Sequence, residues 1–223
     1  YTGSIRLATT DYGTHSLLPR LVPTLNEVAP KVSLTAVDWR SNLLTELEEN
    51  RVDLIIGGAT QPPENIFQRI VAHDRFVVVV RREHPNAQGV SLDDYLAQNH
   101  VMISPTGTGT SGIDDLLSLK GHSRNISVRV PHFFAALEII ATTDMMILLP
   151  AKFVRRYVSA EKYAVLEPPF AIPEMDISMF WHARIHHDPL HKWFRQFIYD
   201  TIYDQNTRQS RNFIKKARKT PYF

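Results

Sequence analysis

Polar and apolar positions alternate along Ser4–Thr10, and Leu17, Leu18, Leu21, Val22, Leu25 and Val28 then recur at the spacing of one helix face. The chain is therefore expected to open as strand, loop and helix. Pro23 falls inside the helical pattern, where its missing N–H costs about 3 kcal/mol or bends the axis. Val32–Val37 reads as a second strand, Leu43–Asn50 as a short amphipathic helix, and Val52–Gly57 as an unbroken apolar strand ending in Gly57-Gly58. A run without alternation suits a strand covered on both faces, as in parallel sheets. The pattern returns downstream, with strands at Val101–Ser104, Ile126–Val130 and Met145–Leu149 and helices at Ile113–Leu119 and Phe133–Ile140. Two βαβ-type units result.

Between these units Arg75–Arg82 is strand-like, and Ser91 opens a helix with Asp94 placed for a capping box. Beyond the second unit, Pro168, Pro169 and Pro173 precede an apolar strand at Ile177–Trp181. A last helix follows Pro189, with Leu190, Trp193, Phe194, Phe197, Ile198 and Ile202 on one stripe. The economical fold class is α/β, with two lobes joined by two crossover strands, each lobe a mixed, mainly parallel sheet flanked by helices. Residues 1–82 and 180–204 are assigned to the first lobe, 83–179 to the second, and 205–223 to a basic C-terminal tail.

Composition narrows the class further. The 223 residues are 43% hydrophobic and 22% charged, close to the globular average. No apolar run approaches the ~20 residues that cross a bilayer, so no membrane span is expected. The absence of cysteine excludes disulfides, thiolate metal sites and cysteine nucleophiles, and fits a reducing compartment. A start at Tyr1 instead of Met is the mark expected of a fragment. The net charge of +2 is uneven: Gln205–Phe223 carries six basic residues and no acid, which leaves the body at −4. Such a body lacks the basic face of a nucleic-acid-binding domain, and the tail reads as a solvated terminus.

Gly107, Gly109 and Gly112 form a G-x-G-x-x-G between a strand and a helix, but the next strand ends in Arg129-Val130-Pro131 with no acid for a ribose. Dinucleotide binding is rejected, and no cofactor is expected. Two readings of this hydroxyl-rich turn stay open: a small-anion site at a helix start, or an N-cap serving its own helix. Other strand ends carry similar residues. Thr9, Thr10 and Asp11 follow the first strand, Ser41 the second, and Gly58 the third; Ser104, Pro105, Thr106, Gly107 and Thr108 follow the first strand of the second unit. Ligands of open α/β sheets settle beyond such ends, so these loops are expected to line one cleft. His132 could give a bound acid a hydrogen bond or a charge beside the apolar Phe133, or could simply cap its helix. His182, His186, His187 and His191 straddle a strand and a helix start without supporting carboxylates, so no metal site is expected.

The opening SIRLATTDYG…LLPRLVPTLNEVAP, the strand VDLIIGG, the link FVVVVRREHP, the segment VPHF…ATTDMMILLP and the closing MFWHARIHHDPLHKWFRQFIYD together resemble the effector-binding part of LysR-type transcriptional regulators. The likeness covers residues 3–204, and IFQR, GTG, VPHF and MFWHA are similar to the subgroup that senses aromatic acids in naphthalene and nitrotoluene degradation. The resemblance implies a periplasmic-binding-protein-like pair of lobes, a small aromatic effector between them and homodimers or homotetramers in the cytoplasm. DNA would be bound only through an N-terminal winged helix-turn-helix missing from this chain. Effector contacts carried over by position fall at Thr9 or Thr10, Ser41, Ser104–Thr108, and His132-Phe133. No covalent step is implied. A solute-binding protein for a small organic anion is the alternative, and a small α/β enzyme using His132 as base a third class.

Overall fold

A computed structural model describes residues 1–39, 43–58, 62–104, 109 and 111–202. The first sheet holds β1 (Thr2–Thr9), β2 (Lys31–Asp38), β3 (Leu54–Gly58), β4 (Ile66–Asp74) and β10 (Met175–His182) in the order β2-β1-β3-β10-β4. The first three strands run parallel, and β10 lies antiparallel to both its neighbours. Helix α1 (Asp11–Val28) and the helix over 189–202, α7, cover one face. Leu17, Leu21 and Leu25 meet Phe194 and Ile198 there, over Ile5, Leu7, Leu54 and Ile56. On the other face Leu47 of α2 (Leu43–Glu48) packs with Ala8, Ile55 and Phe180. Ile55 and Ile56 thus bury on opposite sides, which is why the β3 run shows no alternation. Helix α1 continues unbroken through both Pro19 and Pro23, because its buried leucine stripe fixes it to the sheet.

The second lobe is built on β5 (Phe76–Arg81), which lies between β8 (Ile147–Pro150) and β9 (Tyr163–Leu166), antiparallel to both. Strands β6 (Asn99–Ile103) and β7 (Asn125–Val130) pair in parallel, and β6 joins the strand region before β8 through Val101 N–H to Met146 C=O and Met146 N–H to Asn99 C=O, both 2.9 Å. Val77 and Val79 bury on one face with Leu137, Ile140 and Phe153, while Val78 and Val80 bury on the other with Tyr95 and Leu117. The flanking helices are α3 (Leu92–Ala97), α4 (Gly112–Ser118), α5 (Phe133–Ala141) and α6 (Ala151–Tyr157). Ser91 caps α3 by accepting from the Asp94 N–H at 3.1 Å; Asp94 answers the Ser91 hydroxyl instead of its N–H, so the expected box is only half formed.

Three elements, β4, α6 and β9, have no counterpart in the hydropathy pattern. Among the described residues, β5 pairs with β8 and β9 of the second sheet. The whole of β10 pairs in the first sheet. The tail over 205–223 lies outside the described residues.

Candidate functional site

Between the lobes lies a cleft of about 940 Å³, reached by the ends of β1, β3 and β6 and by the start of α5. From the first lobe it is walled by Thr9, Thr10, Gly13, Trp39, Ile56, Gly57 and Gly58, and from the second by Ile103, Ile113, Leu116, Phe133 and Leu148. The wall is mostly apolar, with a few polar groups placed in it, which is the usual composition of a small-molecule site.

The strand-end residues share the cleft but not one role. Thr9 is buried, and its hydroxyl donates to the Ile56 carbonyl at 2.9 Å, tying β1 to β3. Gly13 is needed beside it, because a Cβ there would overlap the Thr9 hydroxyl. Thr10 caps α1 by accepting from the Gly13 N–H at 3.1 Å, and its residue lines the wall. Gly58 is exposed at the edge of the cleft, and Phe133 forms part of the apolar wall. Three expected contacts do not line it. Asp11 turns toward the second lobe, where Oδ2 accepts from the Phe134 N–H at 3.2 Å. Ser104 is buried, its N–H spent on the Val130 carbonyl. His132 is exposed at the N-cap of α5 and makes no capping hydrogen bond, because neither the wall nor the helix end draws its ring in. Ser41, Pro105, Thr106, Gly107 and Thr108 lie outside the described residues.

At the start of α4 the described residues form an N-cap, while Thr106, Gly107, Thr108 and Thr110 of the turn lie outside them. The Ser111 hydroxyl accepts from the Asp114 N–H, and Asp114 Oδ2 accepts from the Ser111 N–H at 2.8 Å, a complete capping box. Arg124, which also lines the cleft, donates to Asp114 Oδ1 at 2.7 Å, to the Tyr95 hydroxyl at 3.0 Å and to Ser111 Oγ at 3.3 Å. Burial pushes the Asp114 carboxyl up, but the bonds from Arg124 and Ser111 outweigh it and hold the carboxyl below its usual range. The Arg124 charge is therefore already matched.

Basic groups missed by the sequence reading lie where α1 faces α6. Arg20 and Arg156 line the cleft, and neither has an ion-pair partner among the described residues. Burial, and then the nearby Arg156 charge, hold the Arg20 guanidinium below its ordinary pKa. Tyr12, beside them, is pushed up to about 12, chiefly by burial. Arg20 and Trp39 gave no signal because one is a polar position on a helix and the other follows a strand without a motif. No group of three or more histidines and carboxylates is gathered for a metal among the described residues. His186 instead accepts from the Trp181 indole N–H at 3.1 Å and stacks on Phe67. Among the described residues, no helix is long and apolar enough to cross a membrane.

Comparison with known proteins agrees with this geometry. The transcriptional activator NahR of Pseudomonas putida is 32% identical over 89% of this chain and 67% of its own length, and NagR of a Ralstonia species 31% over 88% and 66%. The chain thus spans about two thirds of these curated relatives. A crystal structure of a probable transcriptional regulator from Pseudomonas aeruginosa superposes with a TM-score of 0.79 at 32% identity, covering 87% of this chain and 65% of that one. The regulatory domain of MexT from the same organism shares the fold, with a TM-score of 0.77 at 23% identity over 90% of this chain and 98% of that one. The two-lobed architecture is thus the periplasmic-binding-protein-like fold of these regulatory domains. The family model described as the LysR substrate binding domain matches residues 1–202, and the chain belongs to that family.

Proposed function

We propose that this chain is the effector-sensing part of a LysR-type transcriptional regulator and that its interlobe cleft takes a small aromatic acid. The observation that carries this reading is the cleft itself: an apolar wall with the Trp39 and Phe133 rings in it, and Arg20 and Arg156 among its lining residues without an acidic partner among those described. Rings suit an aromatic body, and unmatched guanidinium groups favour a negative charge. The relatives NahR and NagR are named as transcriptional activators, which favours sensing over turnover and over solute capture for transport. Thr10, Trp39, Gly58 and Phe133 are the contacts proposed from the described residues; His132 is left out. Ser41 and Pro105–Thr108 complete the proposed set by their place at the strand ends.

Effector binding would act by favouring one relative position of the lobes, and a coupling of about 1–3 kcal/mol suffices for such a switch. DNA recognition, assembly into homodimers or homotetramers and action in the cytoplasm are proposed for the whole regulator, of which this chain is the sensing part. Division of the chain at Arg75 and at 167–174 follows the strand pairing best.

A thermal-shift series with benzoate, salicylate, nitrobenzoate and their uncharged amides tests the reading. A ligand at 100 times its Kd stabilises by about 2.7 kcal/mol, which for a domain of this size is a rise of roughly 5–10 °C. The acids should raise the melting temperature and the amides should not. Equal shifts from acids and amides, or none from any aromatic compound, would refute it.

A further inference from the structure

Two helices of the second lobe lack N-terminal caps of their own, and the first lobe supplies both. Ser91 and Ser111 cap α3 and α4 from within the second lobe. His132 before α5 and Pro150 before α6 make no side-chain capping bond. The missing acceptors come across the lobe boundary. Asp11, in the first turn of α1, accepts from the Phe134 N–H of α5 at 3.2 Å. Asp74, the last residue of β4 and buried, accepts from the Lys152 N–H of α6 at 3.2 and 3.3 Å and from the Arg75 N–H at 2.9 Å. The free N–H groups and positive end of a helix make a carboxylate the natural partner at both places.

We propose that Asp11 and Asp74 are positioning residues that set the angle between the lobes, each by capping in trans a helix that cannot cap itself. Asp74 lies next to the crossing at Arg75 and fixes the pivot. Asp11 lies across the cleft and fixes the opening. Aromatic contacts close the same seam: Tyr12 meets Phe153 edge-on at 5.1 Å between ring centres, and His15 meets Phe134 at 4.5 Å. The Asp11 Oδ1 atom is buried with no hydrogen-bond partner among the described residues, so the Phe134 N–H is the one bond holding that carboxylate in the seam. This inference holds whatever ligand the cleft takes.

The chain has no cysteine, so spin labels on Thr35→Cys and Ser123→Cys, exposed positions in opposite lobes, report the interlobe distance in the full 223-residue chain. The parent should give a single narrow distance distribution by electron double resonance. Asp11→Ala should broaden or displace it, and Asp11→Asn, which keeps a carbonyl acceptor, should restore it. The decisive variant is Asp11→Ala with His132→Asp, which gives α5 a cap of its own. It should recover the melting temperature lost in Asp11→Ala while leaving the distance distribution broad, and it carries the test if Asp11→Ala alone fails to fold. Recovery of the parent distance by this double variant would show that the carboxylate only stabilises the helix, and an unchanged distance in Asp11→Ala would likewise overturn the proposal.

Discussion

The ring of Trp39 lies so close over Gly57 that a Cβ on Gly57 would overlap its six-membered edge. Gly57 therefore acts as a seat for the indole, and both residues face the cleft. Gly57→Ala should push Trp39 off β3, change the emission of that tryptophan and lower stability by about 1–3 kcal/mol, as overpacking does. Affinity for an aromatic acid should fall at least roughly tenfold, or about 1.4 kcal/mol. Calorimetric titration beside unfolding measures both, and Trp39→Phe in the same background tells whether the ring or the backbone is responsible. Full affinity in Gly57→Ala would remove Trp39 from the contact set.

Arg124 is almost wholly buried, with 3% of its side chain exposed, and it is matched by Asp114 at 15%. Removing the acid alone strands a cation in the interior. Asp114→Ala should cost about 3–5 kcal/mol in urea unfolding, whereas Asp114→Ala with Arg124→Met should recover much of the loss. The folded Asp114 carboxyl is held below its usual range, so its contribution is present at neutral pH and fades as pH falls below the ordinary carboxylate value. Additive losses in the double variant would show that the pair is not coupled.

How far the sequence reveals this site depends on what kind of signal each residue leaves. Strand ends are visible as the points where apolar runs stop, and Thr10, Gly58 and Phe133, read from such points, lie in the cleft wall. The three unpredicted elements leave weaker traces. Strand β4 is a sheet edge whose burial runs irregularly along Ile66–Asp74, and β9 has only four residues, so neither produces a clean period. Helix α6 carries Arg155 and Arg156 in its last turn, and its apolar residues are too few to show a stripe. For His132, position at a loop gives no direction, and the residue is exposed outside the cleft wall. The roles of Asp11 and Asp74 depend on contacts across the lobe boundary, which no local pattern can carry.

Pro23 is exposed on α1, where it withholds a hydrogen bond from the Pro19 carbonyl without breaking the helix. The buried leucines on the opposite face offset that loss. Pro23→Ala should therefore stabilise the chain. The helix regains up to about 3 kcal/mol of propensity, reduced by up to ~1 kcal/mol because alanine leaves the unfolded chain freer. A gain of about 2 kcal/mol in urea unfolding is expected, and a loss would show that the backbone at this turn is fitted to proline.

His100 is completely buried on β6, with its Nε2–H donating to the Tyr95 carbonyl at 2.7 Å and Nδ1 without a partner among the described residues. Burial, with the Arg124 charge adding to it and the Tyr95 carbonyl opposing, lowers its pKa to about 4. The folded ring resists protonation while the unfolded one accepts a proton near pH 6.5. Between those values the unfolded state binds more protons, so stability must fall as pH drops from about 6.5 toward 4 and level off below that. At 1.36 kcal/mol per unit, the loss by pH 5 is on the order of 2 kcal/mol. Asp74 opposes this at lower pH, since burial raises its carboxyl pKa and protonation there favours the folded state. His100→Gln keeps a donor for the Tyr95 carbonyl and cannot titrate. Urea unfolding at pH 7 and pH 5 should show the parent losing more than the variant, by close to the whole predicted amount; equal losses would mean that His100 is protonated in the folded chain or relieved by local opening.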